Sequence, residues 1–325
     1  MNFLTFRRVA FPIALALFYI LTANNSYAQK QKLHTLKIRN TSDLIDYFRY
    51  SGNDVPLISG HRGGIVKDFP ENSIAALENI LRHTHAFFEI DPRLTKDSII
   101  VVFHDAKLER VTNGTGKLSD YTWEELRKLK LKDTYGQLTN YTIPTLDEVI
   151  EWSKGKTILN LDKKDVPLAM IAKKIKEHDA ASHVMLTVHH VKEAQFYHKE
   201  DNRLMFSAHI LSMESFHAFD QSGIPWSNIM AYIGPKLTSL NKALMDSLHS
   251  RGVMCMIGTG PSIDKITNAE ERKKAYQELI EAGVNVIESD LPIEVNKAIS
   301  HLAPQNSTKR KFFRRSKEMK RKAAS

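Results

Sequence analysis

The 325-residue sequence contains a single cysteine, Cys255, so no disulfide can form within one chain and stability must come from the core. Cys255 lies in the apolar run 253–257, which favours a small buried hydrophobic side chain over a nucleophile. The sequence also lacks internal repeats, low-complexity segments and a linker that would divide its body. Its content of 42% hydrophobic and 26% charged residues is typical of globular proteins, which argues against extended disorder.

The N-terminal apolar run, Val9–Ala23, is shorter than the roughly 20 residues that a membrane-spanning helix needs. Arg7 and Arg8 precede this run, and Ser26 and Ala28 place small residues where a signal peptidase reads them. This pattern predicts a secretory signal peptide over residues 1–28 and an exported protein, periplasmic or secreted. An uncleaved membrane anchor is the alternative.

Positive charge is concentrated at the C-terminus. Residues 305–325 contain nine Lys or Arg residues and one acid, Glu318, and therefore supply most of the formal net charge of +9. We expect a mobile basic tail over 305–325, with weak contact to an anionic membrane surface through Phe312 and Phe313 as an alternative. Since the body is close to neutral, its composition gives no reason to expect nucleic-acid binding.

Apolar strand-like runs alternate with helical patterns between residues 54 and 304. Repeated strand–helix alternation over about 240 residues indicates a parallel sheet with helices outside, and about eight strands favour a closed TIM-type (β/α)₈ barrel. We therefore expect an α/β fold with one barrel domain over 54–304, after a short N-terminal lead-in at 29–53. The strand-like runs are 56–60, 87–91, 99–103, 157–161, 183–188, 203–208, 228–233, 252–257 and 284–287.

One connection is too short for a crossover helix. Only about five residues join the run that ends near Leu94 to Ile99, so these two runs should form a hairpin. With a two-residue turn at Asp97-Ser98, Asp91 would face His104.

Polar side chains follow the predicted strands at the carboxyl ends, where catalytic groups of such barrels lie. The histidines His61 and His104 can share the acid and base work of phosphodiester cleavage near neutral pH. Arg62 and Lys164 can neutralise charge on the phosphoryl oxygens. A cluster of three carboxylates without cysteine is typical of a Ca²⁺ or Mg²⁺ site. These carboxylates are Glu89, Asp91 and Asp162.

Seven short motifs follow one another between residues 58 and 150. They are Gly60-His61-Arg62-Gly63, Pro70-Glu71-Asn72-Ser73, Glu89-Ile90-Asp91, Thr95-Lys96-Asp97, Val101–Asp105, Leu108–Gly116 and Ile143-Pro144-Thr145-Leu146. In order and spacing this series resembles the glycerophosphodiester phosphodiesterases, relatives of the phosphatidylinositol-specific phospholipases C.

The resemblance implies a TIM barrel with one divalent cation. It implies a general acid/base role for His61 and His104, phosphate contact for Arg62, metal ligation by Glu89 and Asp91, and a supporting role for Glu71. It also implies that the substrate's own glycerol hydroxyl attacks phosphorus, that water opens the cyclic intermediate, and that glycerol phosphate and an alcohol result.

This chain departs from the family pattern at two places. The fourth strand ends in Asp162-Lys163-Lys164, where the family has Glu, one residue and Lys, so the carboxylate is about one methylene shorter. The strand ending Ile257-Gly258-Thr259 lacks the family's tryptophan. Asp290, in an element similar to the family's Thr-Asp-x-Pro, is expected to close the barrel or support the site.

Two other functions fit the same barrel. One is a phospholipase C- or D-like lyase that acts on lipid head groups and releases a cyclic phosphate. The other is a barrel without catalysis that binds a ligand or partner. Retention of both histidines and Arg62 favours an enzyme, and the expected substrate is a small glycerophosphodiester. The sequence leaves open the alcohol moiety, and also the choice between ligand and structural roles for the pair His189-His190.

Overall fold

The computed structural model describes residues 33–315; the predicted signal peptide and residues 316–325 lie outside this range. The strands are β1 (His34–Leu36), β2 (Leu57–His61), β3 (Phe87–Ile90), β4 (Pro92–Leu94), β5 (Ile100–Val102), β6 (Leu159–Leu161), β7 (Val184–Val188), β8 (Met205–His209), β9 (Ile229–Tyr232), β10 (Cys255–Gly258), β11 (Val286–Ser289) and β12 (Phe313–Arg315). The α-helices are α1 (Thr41–Phe48), α2 (Ile74–His83), α3 (Trp123–Leu126), α4 (Leu146–Ser153), α5 (Leu168–Glu177), α6 (Val191–Glu200), α7 (Met213–Asp220), α8 (Ser239–Ser250), α9 (Ala269–Glu281) and α10 (Pro292–Ile299).

Eight parallel strands close into a barrel in the order β10-β11-β2-β3-β6-β7-β8-β9. Helices follow the barrel strands on the outside, which confirms the predicted TIM-type barrel. The carboxyl ends of all eight strands therefore meet at one mouth. None of the helices within residues 33–315 is long and apolar enough to cross a membrane.

The barrel interior is apolar at the bottom and polar at the mouth. Its lower part is filled by methionines and other hydrophobic side chains, and α1 closes it from below. Methionine suits such a filling because its unbranched side chain adapts to irregular gaps. Cys255 is buried, as its apolar surroundings predict. The lower filling comprises Leu57, Phe87, Ile158, Met185, Met205, Met230, Met254, Met256 and Val286.

The hairpin between β4 and β5 forms, but its predicted register is wrong by one residue. Pro92 pairs with Val102 and Leu94 with Ile100. Ser98 adopts a left-handed φ of 62°, and the amide of Ile99 donates to Thr95 Oγ1 at 2.9 Å. These features make a three-residue turn, which shifts the pairing relative to a two-residue turn. Asp91 therefore faces Phe103, whose amide donates to the Asp91 carbonyl at 2.8 Å, and not His104.

The expectation of a mobile tail from residue 305 is wrong for its described part. β12 pairs antiparallel with β1, and Phe312 is 2% exposed with its ring 5.6 Å from that of Tyr47 in α1. Lys309 Nζ donates to the carbonyl of Asp46 at 2.7 Å, near the C-terminal end of α1. Because Phe312 is buried under the barrel, it is unavailable to a membrane. A membrane contact through the rest of the tail stays a prediction.

A histidine joins two outer helices. His178, after α5, lies between Asp147 and Glu151 of α4, with Nε2–Oδ1 and Nδ1–Oε1 distances of 2.6 and 2.7 Å. Burial opposes the charged form, but the hydrogen bonds to Glu151 and Asp147 outweigh it and raise the pKa of His178. This stabilisation is fully present below the unfolded-state pKa and is lost as pH rises through the higher folded-state pKa.

We therefore expect His178→Gln to lower the free energy of unfolding by about 1 kcal/mol near pH 5.5, and by less near pH 9. Urea denaturation at both pH values measures the difference. His301→Gln, at an exposed position, is the matched control. An equal loss for His178→Gln at the two pH values would contradict the ion-pair explanation.

Candidate active site

Seven of the predicted site residues line one cavity of about 230 Å³ at the barrel mouth. They come from the ends of β2, β3 and β6 and from the loop after β5. Glu71 and Asp290, the two predicted supporting residues, line an adjoining groove of about 440 Å³ that shares His61 and Arg62 with the cavity. We call these two spaces the mouth cavity and the outer groove. The seven residues are His61, Arg62, Glu89, Asp91, His104, Asp162 and Lys164.

The loop after β2 is strained and tightly packed. Arg62 has a left-handed φ of 53°, a conformation that non-glycine residues rarely adopt and that often marks a functional site. Its amide donates to the Glu89 carbonyl at 3.0 Å, which fixes the loop against β3. A Cβ at Gly63 would lie 2.9 Å from that of Ala76, so only glycine allows this approach of α2. The fold thereby holds the Arg62 side chain at the cavity wall.

The three predicted ligand carboxylates form a compact cluster. One oxygen each of Glu89, Asp91 and Asp162 lies within 4.8 Å of the others, and this is the only such grouping found within residues 33–315. Lys164 Nζ lies 2.8 Å from Asp91 Oδ1 and 2.6 Å from Asp162 Oδ2. Asn72 Nδ2 donates to Asp91 Oδ2 at 2.6 Å, which orients that carboxylate.

The chemistry of this cluster fits a hard divalent cation. Glu89 is buried, and no group within the described residues donates a hydrogen bond to its Oε2. Burial and the neighbouring charge of Asp91 raise the pKa of Glu89 well above its ordinary value. A buried carboxylate in that situation is costly unless a cation compensates it. Glu89, Asp91 and Asp162 would hold the ion through oxygen atoms, as Ca²⁺ and Mg²⁺ prefer.

Each histidine of the predicted pair contacts its own carboxylate. His61 Nδ1 lies 2.7 Å from Asp290 Oδ1, and His104 Nδ1 lies 2.8 Å from Asp105 Oδ1. Burial alone would lower the pKa of His61, but the hydrogen bond to Asp290 and the charge of Glu288 raise it. A carboxylate on Nδ1 fixes the ring and directs Nε2 toward a substrate.

A charged network connects His104 with Arg62. Arg110, in the insertion between β5 and α4, donates to Asp105 through Nε at 2.6 Å. The same guanidinium makes two hydrogen bonds of 2.7 Å to Glu71, and Arg62 Nη1 lies 3.5 Å from Glu71 Oε1. Arg110 and His104 hold the pKa of Asp105 well below its usual range. Arg110 thus positions both carboxylates through a planar fork that lysine cannot reproduce.

Arg110→Lys is therefore expected to lower kcat by about 10- to 100-fold, as is typical when groups that orient reactive residues are lost. Steady-state kinetics on a glycerophosphodiester measures this loss. Arg127→Lys, in the same insertion and at an ion pair with Glu124 outside the network, should behave as the wild type. Full activity of Arg110→Lys would show that the network does not position His104.

Of the pair His189-His190, His189 contacts the carboxylate cluster. His189 Nε2 lies 3.0 Å from Asp162 Oδ1, and its ring centroid lies 4.3 Å from that of His209. Although burial opposes ionisation, His189 and Lys164 hold the pKa of Asp162 well below its usual range. Burial, followed by the charge of His189, lowers the pKa of His209 to about 4. The Asp162 carboxylate, which is one methylene shorter than the family's glutamate, is therefore held by His189 at one oxygen and by Lys164 at the other.

Several cavity residues were not predicted from the sequence. Arg110, in the outer groove, belongs to the motif Leu108–Gly116, whose pattern does not mark it as a site residue, and His209, in the mouth cavity, ends β8, whose sequence gives no sign of a site. The remaining residues alternate inward along strands, which places them in the cavity, but their polar character alone does not identify a site. They are Asn160, Thr187, Ser207, Tyr232 and Glu288.

The glycerophosphoryl diester phosphodiesterase family model matches residues 61–256, which is more than half of the chain. The chain belongs to this family. A glycerophosphoryl diester phosphodiesterase from Parabacteroides distasonis is 54% identical, with a TM-score of 0.86 over 87% of this chain and 99% of that one. The resemblance inferred from the seven motifs is thereby confirmed.

Other relatives match over shorter stretches. A glycerophosphodiester phosphodiesterase of Bacillus altitudinis is 32% identical over 165 residues, which cover 49% of this chain and 61% of that protein. One from Caldanaerobacter subterraneus is 40% identical over 104 residues, 42% of its length. The matched stretches thus span less than two thirds of these curated relatives. An Oleispira antarctica phosphodiesterase, solved with the product sn-glycerol-3-phosphate, shares the fold at 22% identity and a TM-score of 0.58.

Proposed function

We propose that this chain hydrolyses glycerophosphodiesters to glycerol phosphate and an alcohol, with a divalent cation and the pair His61 and His104. One observation carries the proposal: two carboxylate-oriented histidines, an arginine, a lysine and a carboxylate cluster all line one 230 Å³ cavity. The names of the Parabacteroides and Bacillus relatives support the same substrate class.

In this proposal the two imidazoles divide the proton transfers. One Nε2 takes the proton of the glycerol hydroxyl as its oxygen bonds to phosphorus, and the other gives a proton to the alcohol oxygen as its bond to phosphorus breaks. Water then opens the cyclic phosphodiester with the two roles exchanged. Arg62 and Lys164 lie where they can neutralise the phosphoryl oxygens. A bound Ca²⁺ or Mg²⁺ would supply Lewis-acid stabilisation of phosphoryl charge.

Turnover of glycerophosphocholine by purified protein tests this proposal, in Ca²⁺, in Mg²⁺ and in chelator. We expect glycerol phosphate to appear only with a cation, and phosphorus NMR should show a linear phosphate as the final product. Accumulation of a cyclic phosphate would favour a lyase. Absence of turnover across choline, ethanolamine, inositol and glycerol esters, by protein shown to be folded, would favour a binding role.

We also propose export, on the basis of Arg7-Arg8, the apolar run and the small residues at 26 and 28. Mass spectrometry of protein from cell fractions tests it. A mature chain that begins at Gln29 outside the cytoplasm is expected, and an intact cytoplasmic chain would contradict the proposal.

A further inference from the structure

The exposed large hydrophobic side chains lie at one end of the barrel. Seven are exposed within residues 33–315, and each lies in a connection that leaves the mouth end of the barrel or in the first turn of the helix that follows. Within the same range none lies at the opposite pole, where α1 and the pairing of β1 with β12 close the barrel. Single exposed hydrophobics are ordinary, but their confinement to one face points to an interaction surface. One of the seven, Ile99, lies in the β4–β5 turn; the other six, which we call the apolar rim, are Tyr135, Leu138, Tyr141, Leu211, Met213 and Leu240.

One half of the rim lies in the insertion between β5 and α4. Thr134 and Gly136 line the outer groove, so Tyr135 between them lies at its edge, with 70% of its surface exposed. The ring of Tyr141 stacks on that of Phe69, in the loop after β2, with the ring centroids 6.4 Å apart. This contact holds the insertion against the mouth, so its exposed side chains belong to a packed part of the surface.

The other half of the rim follows β8 and β9. Leu211 lies two residues after His209, which lines the mouth cavity. Leu240, in the first turn of α8, is 85% exposed, the largest fraction among the seven. Asn241 Nδ2 donates to the Lys236 carbonyl at 2.8 Å, which ties the preceding loop to α8. Because β8 and β9 lie three and four strands from β3 in the barrel order, the two halves of the rim lie on opposite sides of the mouth.

Lysines accompany both halves of the rim. The segment 233–245 contains Lys236 and Lys242, both exposed, and no acidic residue. The segment 128–142 contains three lysines and one acid, Asp133. Asp133 is 2% exposed, and its carboxylate accepts two amide hydrogens of its own loop at 3.0 and 2.9 Å, so it stabilises that turn. Each half of the rim therefore combines exposed apolar side chains with positive charge.

This combination fits an anionic lipid bilayer. Leucine and methionine side chains can enter the boundary between head groups and acyl chains, tyrosine is favoured at that depth, and lysines beside them attract anionic head groups. The polar mouth cavity and outer groove separate the two halves. An extended flat surface contacts both halves at once, whereas a single bound helix or strand would contact one of them.

We propose that the apolar rim seats this protein on an anionic lipid bilayer, with the barrel mouth facing the membrane surface. The rim side chains enter the head-group region, and the neighbouring lysines lie beside lipid phosphates. The proposal goes beyond the proposed function and does not depend on it, since it concerns the surface around the opening. A substrate at the membrane surface would reach the mouth directly in this orientation.

The test measures binding of the purified protein to unilamellar vesicles by flotation. We expect at least about 10-fold tighter binding to vesicles of equal parts phosphatidylglycerol and phosphatidylcholine than to phosphatidylcholine alone, and weaker binding in high salt. The double variant Tyr135→Ser/Leu240→Ser should bind the anionic vesicles about 10- to 100-fold more weakly, because two large side chains no longer leave water. Lys236→Gln/Lys242→Gln should lower the affinity by about 10-fold or more.

Matched controls separate the rim from general charge and from folding. Lys173→Gln/Lys274→Gln removes two exposed lysines from α5 and α9 and should bind as the wild type. Leu240→Ser alone should keep the wild-type Tm, because its side chain is exposed. Every variant keeps both chain ends, so binding through the N-terminal apolar run or the basic tail would persist in the rim variants.

Three results would overturn the proposal. They are the absence of wild-type binding to anionic vesicles, equal binding by the folded rim variants, and self-association that the rim substitutions abolish in a protein that ignores vesicles. The last result, read by analytical ultracentrifugation, would show that a second copy covers the rim. His61→Ala should bind vesicles as the wild type does. A failure of the proposed function would therefore appear in turnover assays and leave vesicle binding unchanged.

Discussion

His61→Ala is expected to lower kcat for glycerophosphocholine by about 10²- to 10⁴-fold, the usual contribution of a general acid or base. His104→Ala should cause a loss of similar size. His61 borders both the mouth cavity and the outer groove, whereas His104 lines the mouth cavity alone among these two spaces. An alcohol that leaves through the outer groove would be nearest His61, which we therefore expect to protonate it.

A substrate whose leaving group needs no proton separates the two histidines. With the p-nitrophenyl ester of glycerol phosphate, the loss in His61→Ala should shrink by at least about 10-fold, while His104→Ala stays impaired. Release of nitrophenolate is followed by absorbance. His301→Ala serves as the matched control, because that side chain is exposed. If activity recovers in His104→Ala instead, His104 is the residue that protonates the alcohol and His61 is the base. If activity recovers in neither variant, the proposed division of roles is contradicted.

Glu89→Gln is expected to change activity and stability in opposite directions. With a cation, kcat should fall about 10³-fold or more, because the variant loses a ligand and its charge. In chelator, the free energy of unfolding near pH 7 should rise by about 1–3 kcal/mol, because the substitution removes a buried carboxylate without a hydrogen bond on Oε2.

The pH dependence follows from the raised pKa of Glu89. The folded state binds this proton more tightly than the unfolded state, so wild-type stability in chelator falls as pH rises from the unfolded-state pKa to the folded-state pKa. Glu89→Gln should lose that part of the pH dependence, and also the increase in Tm that Ca²⁺ gives the wild type. Urea and thermal unfolding measure both effects, with Glu281→Gln as control. A less stable Glu89→Gln in chelator would contradict the prediction.

Much of the site could be predicted from the sequence because barrel topology brings strand ends together. His61 and Asp162 each follow a recognisable apolar run, and Glu89 lies within another, so a parallel barrel places them at one mouth without any knowledge of contacts. Arg110 could not be placed in this way. It lies in a long insertion, and its contacts with Glu71 and Asp105 depend on how that insertion folds back over the barrel.

Two predictions from the sequence were wrong, the β4–β5 register and the mobility of the tail from residue 305, and each has a local physical cause. The β4–β5 register depends on whether Ser98 adopts a left-handed conformation, and the sequence of a short polar turn does not decide this. The C-terminal segment is highly charged, yet Phe312 and the whole side chain of Lys309 are buried beneath α1. Burial of this ammonium depends on the Asp46 carbonyl and the Asp54 carboxylate that it contacts, and those contacts become visible only in the fold.

Pairing of β1 with β12 has a practical consequence for handling the protein. The two strands place His34 opposite Arg315, on the side of the barrel that α1 closes, so both ends of the described chain lie at the pole remote from the mouth. A label placed at residue 34 or at residue 315 would therefore lie away from the opening through which substrate enters.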